Sequence, residues 1–498
     1  MIQVSHNTAA TQFAFDNTYA RDLEGFYVPW QAAQVAQPAL VQLNRALAEE
    51  LGLDAKAFAS ETGAQIFAGN TLPEGATPLA QAYAGHQFGG FSPQLGDGRA
   101  LLLGEVLDRS GRRRDIQLKG SGRTPFSRSG DGRAALGPVL REYLIGEAMH
   151  ALGIPTTRAL AAVRTGEPVY REAALPGAVL TRVAASHIRV GTFQWVASHG
   201  QPGQVRRLAD YVIDRHYPAL QGQADPYLRL LESVCDRHAS LVARWMHVGF
   251  IHGVMNTDNI AISGETIDYG PCAFMDHYDP ATVFSSIDTY GRYAYAQQPQ
   301  IAQWNLARFA ETLLPLIDAD QQRAIARATE VIHAFPVRYQ YHWLQGMRAK
   351  LGLFTTEEAD ADLATGLLTA MEGQHVDYTL AFRYLADAAM GEDDLLHALF
   401  TDAAAYERWR ERWQARLACE TVAPAVRAQA MRRVNPAFIA RNHRVEEALS
   451  AAVDHDDYTP FETLVQILLQ PFDDQPAFAA FMQPAPEGQG VYRTFCGT

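Results

Sequence analysis

The stretch that most constrains this chain lies between residues 249 and 275. There a sequence that otherwise reads as helix from about residue 205 to its end breaks into a run rich in Gly, Asn and Asp. Apolar residues at helical spacing stop at Val248, and FIHGVMNTDN follows. A turn at Gly264 then leads into Thr266-Ile267-Asp268-Tyr269-Gly270. Gly, Asn and Asp hold irregular backbone through local turns, and polar loops carried on a rigid scaffold are where chemistry concentrates.

Upstream, residues 71–133 are Gly-rich with short apolar runs. Residues 100–106 and 115–119 predict strands, joined by a turn at 108–114. Residues 134–152 predict a helix with Leu136, Val139, Leu140, Tyr143 and Leu144 on one face, and 158–163 and 178–183 predict two more strands. Near the start, QPALVQLNRALAEEL (37–51) has the spacing of an amphipathic helix. At 498 residues the chain exceeds what one core supports. The order predicts an α+β protein of two lobes with a cleft between them. The expected units are a helical N-terminal extension (1–70), a β-containing lobe (71–190), a large helical lobe (191–480) and a tail (481–498).

The formal net charge of −13 argues against nucleic acid as a partner, since such affinity comes from Lys and Arg meeting phosphates. A local Arg cluster for a small anion is still compatible with it. No apolar run approaches the ~20 residues that span a bilayer. Residues 1–21 hold one Arg, no Lys and no compact apolar block, unlike a secretory or transit signal, so a cytoplasmic protein is expected. The four cysteines, Cys235, Cys272, Cys419 and Cys496, are too scattered for a disulfide scaffold or zinc site.

The His252 loop followed by Asp-Tyr-Gly has the layout of a kinase catalytic loop, H-x-D-x-x-x-x-N, and then D-F-G. Asn259, seven residues after His252, and Asp268 take the two metal-holding positions, and their oxygens are ligands that suit Mg2+. The position of the kinase base is Val254, which accepts no proton. Either the neighbouring Asp258 takes over as base, or the fold has lost phosphotransfer. Lys119 ends a predicted strand where a kinase has its phosphate-binding Lys, and Glu142 and Glu147 on the next helix compete to pair with it. Arg182 and Arg189 lie where a kinase has its adenine-side hinge, which makes sense if a triphosphate points the other way. Gly96-Asp97-Gly98-Arg99 is repeated as Gly130-Asp131-Gly132-Arg133, each fit for an anion-binding turn.

Long blocks of the chain resemble the selenoprotein O family, pseudokinases that act as protein adenylyltransferases. The blocks are YAGHQFGGFSPQLGDGRA (83–100), IQLKGSGRTPFSRSGDGRAALGPVLREYLIGEAMHALGIPTTRAL (116–160), HGVMNTDN (252–259) and TIDYGPCAFMD (266–276). The resemblance implies a kinase-like two-lobed fold that binds ATP inverted and moves AMP to Ser, Thr or Tyr hydroxyls of proteins. It implies nucleotide contacts at Gly96, Gly98, Arg99, Lys119, Asp131, Gly132, Arg182, Arg189 and Asp268. It also implies a Glu142–Lys119 ion pair, Asp258 as proton acceptor, and Mg2+ or Mn2+ on Asn259 and Asp268. For a tail carrying Cys496 it implies a redox pair with Cys272, with two unrelated thiols as the alternative.

Three other activities fit the same motifs: a phosphotransferase, a nucleotide-binding pseudoenzyme, and transfer of UMP from UTP under Mn2+. Keeping Lys119, Asn259 and Asp268 together argues against the pure binder, because a scaffold needs no metal ligands.

Overall fold

The computed structural model describes residues 12–200, 203–486 and 493–495. Twelve strands occur among them: β1 (Tyr27–Pro29), β2 (Ala39–Leu43), β3 (Leu79–Gln81), β4 (Gly85–Gln87), β5 (Gly90–Ser92), β6 (Ala100–Leu107), β7 (Arg113–Lys119), β8 (Ala134–Ala135), β9 (Arg158–Tyr170), β10 (Ala174–Ala184), β11 (Phe250–Ile251) and β12 (Ala273–Phe274). Eight form one antiparallel sheet in the order β1-β3-β6-β7-β10-β9-β2, with β8 also on β10. After β10 the chain is mostly helical, interrupted around β11 and β12. The fold is therefore α+β, and the expected strands in β6, β7, β9 and β10 and the helix Leu136–Ala151 are present.

The expected helix over 37–51 is not one helix. Residues 39–43 pair with β9, and only Arg45–Glu50 is helical. Asn44 starts that helix by accepting a hydrogen bond from Leu47 N at 3.0 Å, while its own N–H donates to Leu160 O across the sheet. Leu40, Leu43 and Leu47 keep helical spacing, but a register shift between Leu40 and Gln42 lets residues 39–43 pair along the edge of β9. Strands β1 and β2 thus come from the stretch expected to be a helical extension.

Alternation along the central strands sets up the site. Ile116, Leu118, Val179 and Val183 point to one face and pack with Leu47, Phe58, Ile66 and Phe67. Gln117 and Lys119 point to the other face. Arg182 lies opposite Gln117 and Leu180 opposite Lys119, so Arg182 shares that second face. The Leu136–Ala151 helix packs there and joins the sheet to the large apolar core of the helical part. Among the described residues, no helix is long and apolar enough to cross a membrane.

Candidate functional site

The pairing of β11 with β12 ties down both ends of the irregular stretch, so residues 252–272 form an anchored loop. Within it Thr257–Asn259 makes one 3-10 turn, closed by Asn259 N on Asn256 O at 2.9 Å. The buried His252 donates from Nε2 to Ile267 O at 2.9 Å, which fixes the approach to Asp268. Asp268 itself has φ +66°, a left-handed backbone that Asp adopts more readily than most residues other than glycine.

Three cations converge on Asp268. Lys119 Nζ and Arg182 Nη2 each reach Oδ1 at 2.7 Å, and Arg189 Nη1 reaches Oδ2 at 3.4 Å. Burial alone would raise the Asp268 carboxyl, yet Lys119, Arg182 and Arg189 hold it well below the usual range. Glu142 braces the same cations: Lys119 Nζ lies 2.5 Å from Oε2, and Arg182 Nε lies 2.9 Å from Oε1 with Nη2 also bonded to it. Burial opposes ionisation of Glu142, and Arg182 and Lys119 overcome it. Glu147 is engaged elsewhere, with Arg158 at 2.8 and 2.7 Å and Asn44 at 2.7 Å. The partner of Lys119 is therefore Glu142. Lys119 itself is pulled down by burial and then by Arg182.

Asp258 sits in a different setting. It is buried, Oδ2 accepts a 3.3 Å bond from Gln87 Nε2, and Oδ1 has no hydrogen-bond partner among the described residues. Burial pushes its carboxyl up to about 6, against the nearby Arg189. Arg189 Nη1 also donates to the Asp258 backbone O at 3.1 Å, and its guanidinium lies 4.5 Å from the Tyr83 ring centre.

The glycine turns complete the cavity. Gly96 has φ +76°, and a Cβ there would meet the Phe126 ring at 2.3 Å. Gly132 has φ +68° with Gly122 O only 2.1 Å from such a Cβ. Only glycine fits either position. Asp131 is bonded by Arg171 at 2.9 and 3.1 Å, which holds its carboxyl low.

Gly96, Gly98, Arg99, Lys119, Asp131, Gly132, Arg182, Arg189, Asp258, Asn259 and Asp268 all line one cavity of about 370 Å3. Glu142 stands behind it. Sequence reasoning passed over Asp97, Gln117 and Gln87. Asp97 is inside the Gly96–Arg99 tetrapeptide, buried, with Oδ2 bonded to Gln81 N at 3.1 Å and Gln117 Nε2 at 3.3 Å. Burial lifts its carboxyl to about 6. Its burial is what the tetrapeptide could not reveal; Gln87 gave no local signal at all.

Among the described residues, no group of three or more His, Cys, Asp or Glu is placed to hold a metal ion. Asn259 donates its Nδ2 to Val254 O at 2.9 Å, which leaves the amide oxygen as an acceptor. That oxygen and the Asp268 carboxylate fit the Mg2+ habit of taking one or two protein oxygens and completing its shell with phosphate and water. Cys272 is buried at the C-terminal end of the loop, and Cys496 lies outside the described residues. Thr494 donates to Pro271 O at 2.6 Å, so the nearby tail residue docks next to Cys272.

The chain matches the family model described as protein adenylyltransferase SelO over residues 9–469. It is 64% identical over 488 residues to "Protein nucleotidyltransferase YdiU" of Cereibacter sphaeroides (strain KD131), covering 98% of this chain and 100% of that protein. It is 61% identical over 494 residues to the protein of that same description from Rhizobium etli (strain CIAT 652), covering 99% of each.

Proposed function

We propose, from the premise that this chain belongs to the protein adenylyltransferase SelO family and is a protein nucleotidyltransferase, that it moves AMP from ATP to Ser, Thr or Tyr hydroxyls of proteins. The observation that carries this is the convergence of Lys119, Arg182 and Arg189 on Asp268, in the cavity that Asp258 also lines. The β and γ phosphates of an inverted ATP sit among those cations. The α-phosphorus then faces the acceptor hydroxyl at Asp258. The reading includes a kinase-like, two-lobed arrangement with the boundary near residue 190 and a cytoplasmic setting.

The hydroxyl oxygen attacks the α-phosphorus as its proton passes to the Asp258 carboxylate. The bond from that phosphorus to the bridging oxygen breaks, and pyrophosphate leaves. In-line geometry and neutralised charge supply most of the acceleration in such transfers. Lys119, Arg182 and Arg189 take up the charge that builds on the leaving pyrophosphate. Glu142 keeps Lys119 and Arg182 extended toward it. Gly96, Gly98, Arg99, Asp131 and Gly132 shape the turns against the nucleotide. Asn259 and Asp268 would hold Mg2+ or Mn2+, which neutralises phosphate charge when bound.

The test uses ATP labelled in either the α or the γ phosphate and a peptide library carrying Ser, Thr or Tyr. Label from the α position on the acceptor is expected. Label from the γ position alone would replace this reading with a phosphotransferase, and α-labelled UTP in the same assay measures base preference. The same reading makes Cys272 and Cys496 a redox pair. Equal transfer rates before and after oxidation, with no linked peptide, would remove it.

A further inference from the structure

The hairpin β4–β5 belongs to neither the main sheet nor the 252–272 loop, yet it meets that loop at every turn. His86 N donates to Thr257 Oγ1 at 2.7 Å, and Phe88 N donates to Asn256 Oδ1 at 3.1 Å. Thr257 Oγ1 donates a hydrogen bond to Gln194 Oε1 at 2.6 Å, and Gln194 Nε2 lies 2.8 Å from His86 Nδ1, which closes a ring of three residues through the His86 backbone N–H. Tyr293 OH adds a 2.7 Å bond to Asn256 Oδ1. The hairpin comes this close because Gly85 has no side chain: a Cβ there would lie 2.7 Å from Asp258 Oδ1.

Gln87 is the side chain that this approach delivers. Its amide nitrogen faces Asp258 Oδ2 at 3.3 Å, as a donor must when it meets a carboxylate. It is the single side-chain hydrogen bond to that carboxylate among the described residues, and the other oxygen is buried without a partner there. We infer that Gln87 is a positioning residue for nucleotidyl transfer: it fixes the plane of the Asp258 carboxylate so that the remaining lone pairs meet the acceptor hydroxyl. This rests on the reading of Asp258 as proton acceptor.

The backbone contacts of His86 and Phe88 hold the hairpin without help from the Gln87 side chain, so Gln87→Met, of similar length but with no donor, leaves the hairpin seated. A misplaced catalytic group loses rate without losing nucleotide binding. The experiment measures AMP transfer from α-labelled ATP to the peptide library for wild type, Asp258→Asn and Gln87→Met, with the melting temperature of each. The expected result is a kcat for Gln87→Met reduced on the order of tenfold, with KM for ATP and melting temperature unchanged. A kcat within twofold of wild type would overturn the inference, and so would a parallel change in KM and melting temperature, which marks a structural role. Full activity of Asp258→Asn would remove the Asp258 reading and Gln87 with it. An inactive wild type would remove the transfer reading itself.

Discussion

Asp258 and Asp268 share one cavity in opposite electrostatic settings. Burial lifts the first to about 6, whereas three cations hold the second ionised well below the usual range. Carboxylates pushed apart in this way are how one site assigns different tasks to similar groups. As the proposed proton acceptor, Asp258 would act only when ionised, working above its pKa and failing as pH falls through it. The kcat profile should therefore show an acid limb near or below pH 6, since bound metal adds positive charge that lowers the value. Asp258→Asn should abolish that limb and cost roughly 10²–10⁴-fold in kcat, with ATP affinity retained. A profile that keeps the limb in the variant would assign the titration to another group. The sequence pointed to Asp258 as the carboxylate nearest the missing base, and the structure places it in the cavity. Gln87 was not, because 171 residues separate it from its partner and a lone Gln in a Gly-rich stretch carries no pattern.

At the scale of the element, the Leu136–Ala151 helix presents two buried glutamates with separate duties. Glu142 holds Lys119 and Arg182, and Glu147 holds Arg158 and Asn44. Removing one partner of a buried ion pair costs about 3–5 kcal/mol, because the other charge is left uncompensated. Glu142→Ala and Glu147→Ala should thus both lower the melting temperature, whereas only Glu142→Ala should weaken ATP binding. Calorimetry on the two variants separates the roles, and equal loss of affinity in both would contradict the division. The helix, β6, β7, β9 and β10 were legible because their periodicity is local. Neither glutamate could be chosen from spacing alone, since both lie on buried positions and the choice depends on which strand end each meets. The stretch 37–51 was misread for a related reason: pairing with β9, more than 100 residues away and accommodated by a register shift, outweighs the helical spacing of its apolar residues.

Over the whole molecule, antiparallel strands supply Lys119 and Arg182, a helix supplies Glu142, and a loop anchored by two short strands supplies Asp258, Asn259 and Asp268. The motifs nominate eleven residues, and in the structure all eleven line one cavity. Direction was suggested in the sequence by Arg182 and Arg189 alone, on the side of a kinase hinge: the side chains mark where positive charge gathers, and polarity follows only once a triphosphate is laid across them. The most direct measurement is a structure of the chain with Mg2+ and a non-hydrolysable ATP analogue. The account predicts the terminal phosphate among Lys119, Arg182 and Arg189 and the α-phosphorus as the one nearest Asp258. A terminal phosphate beside Asp258, with the α-phosphorus away from it, would contradict it.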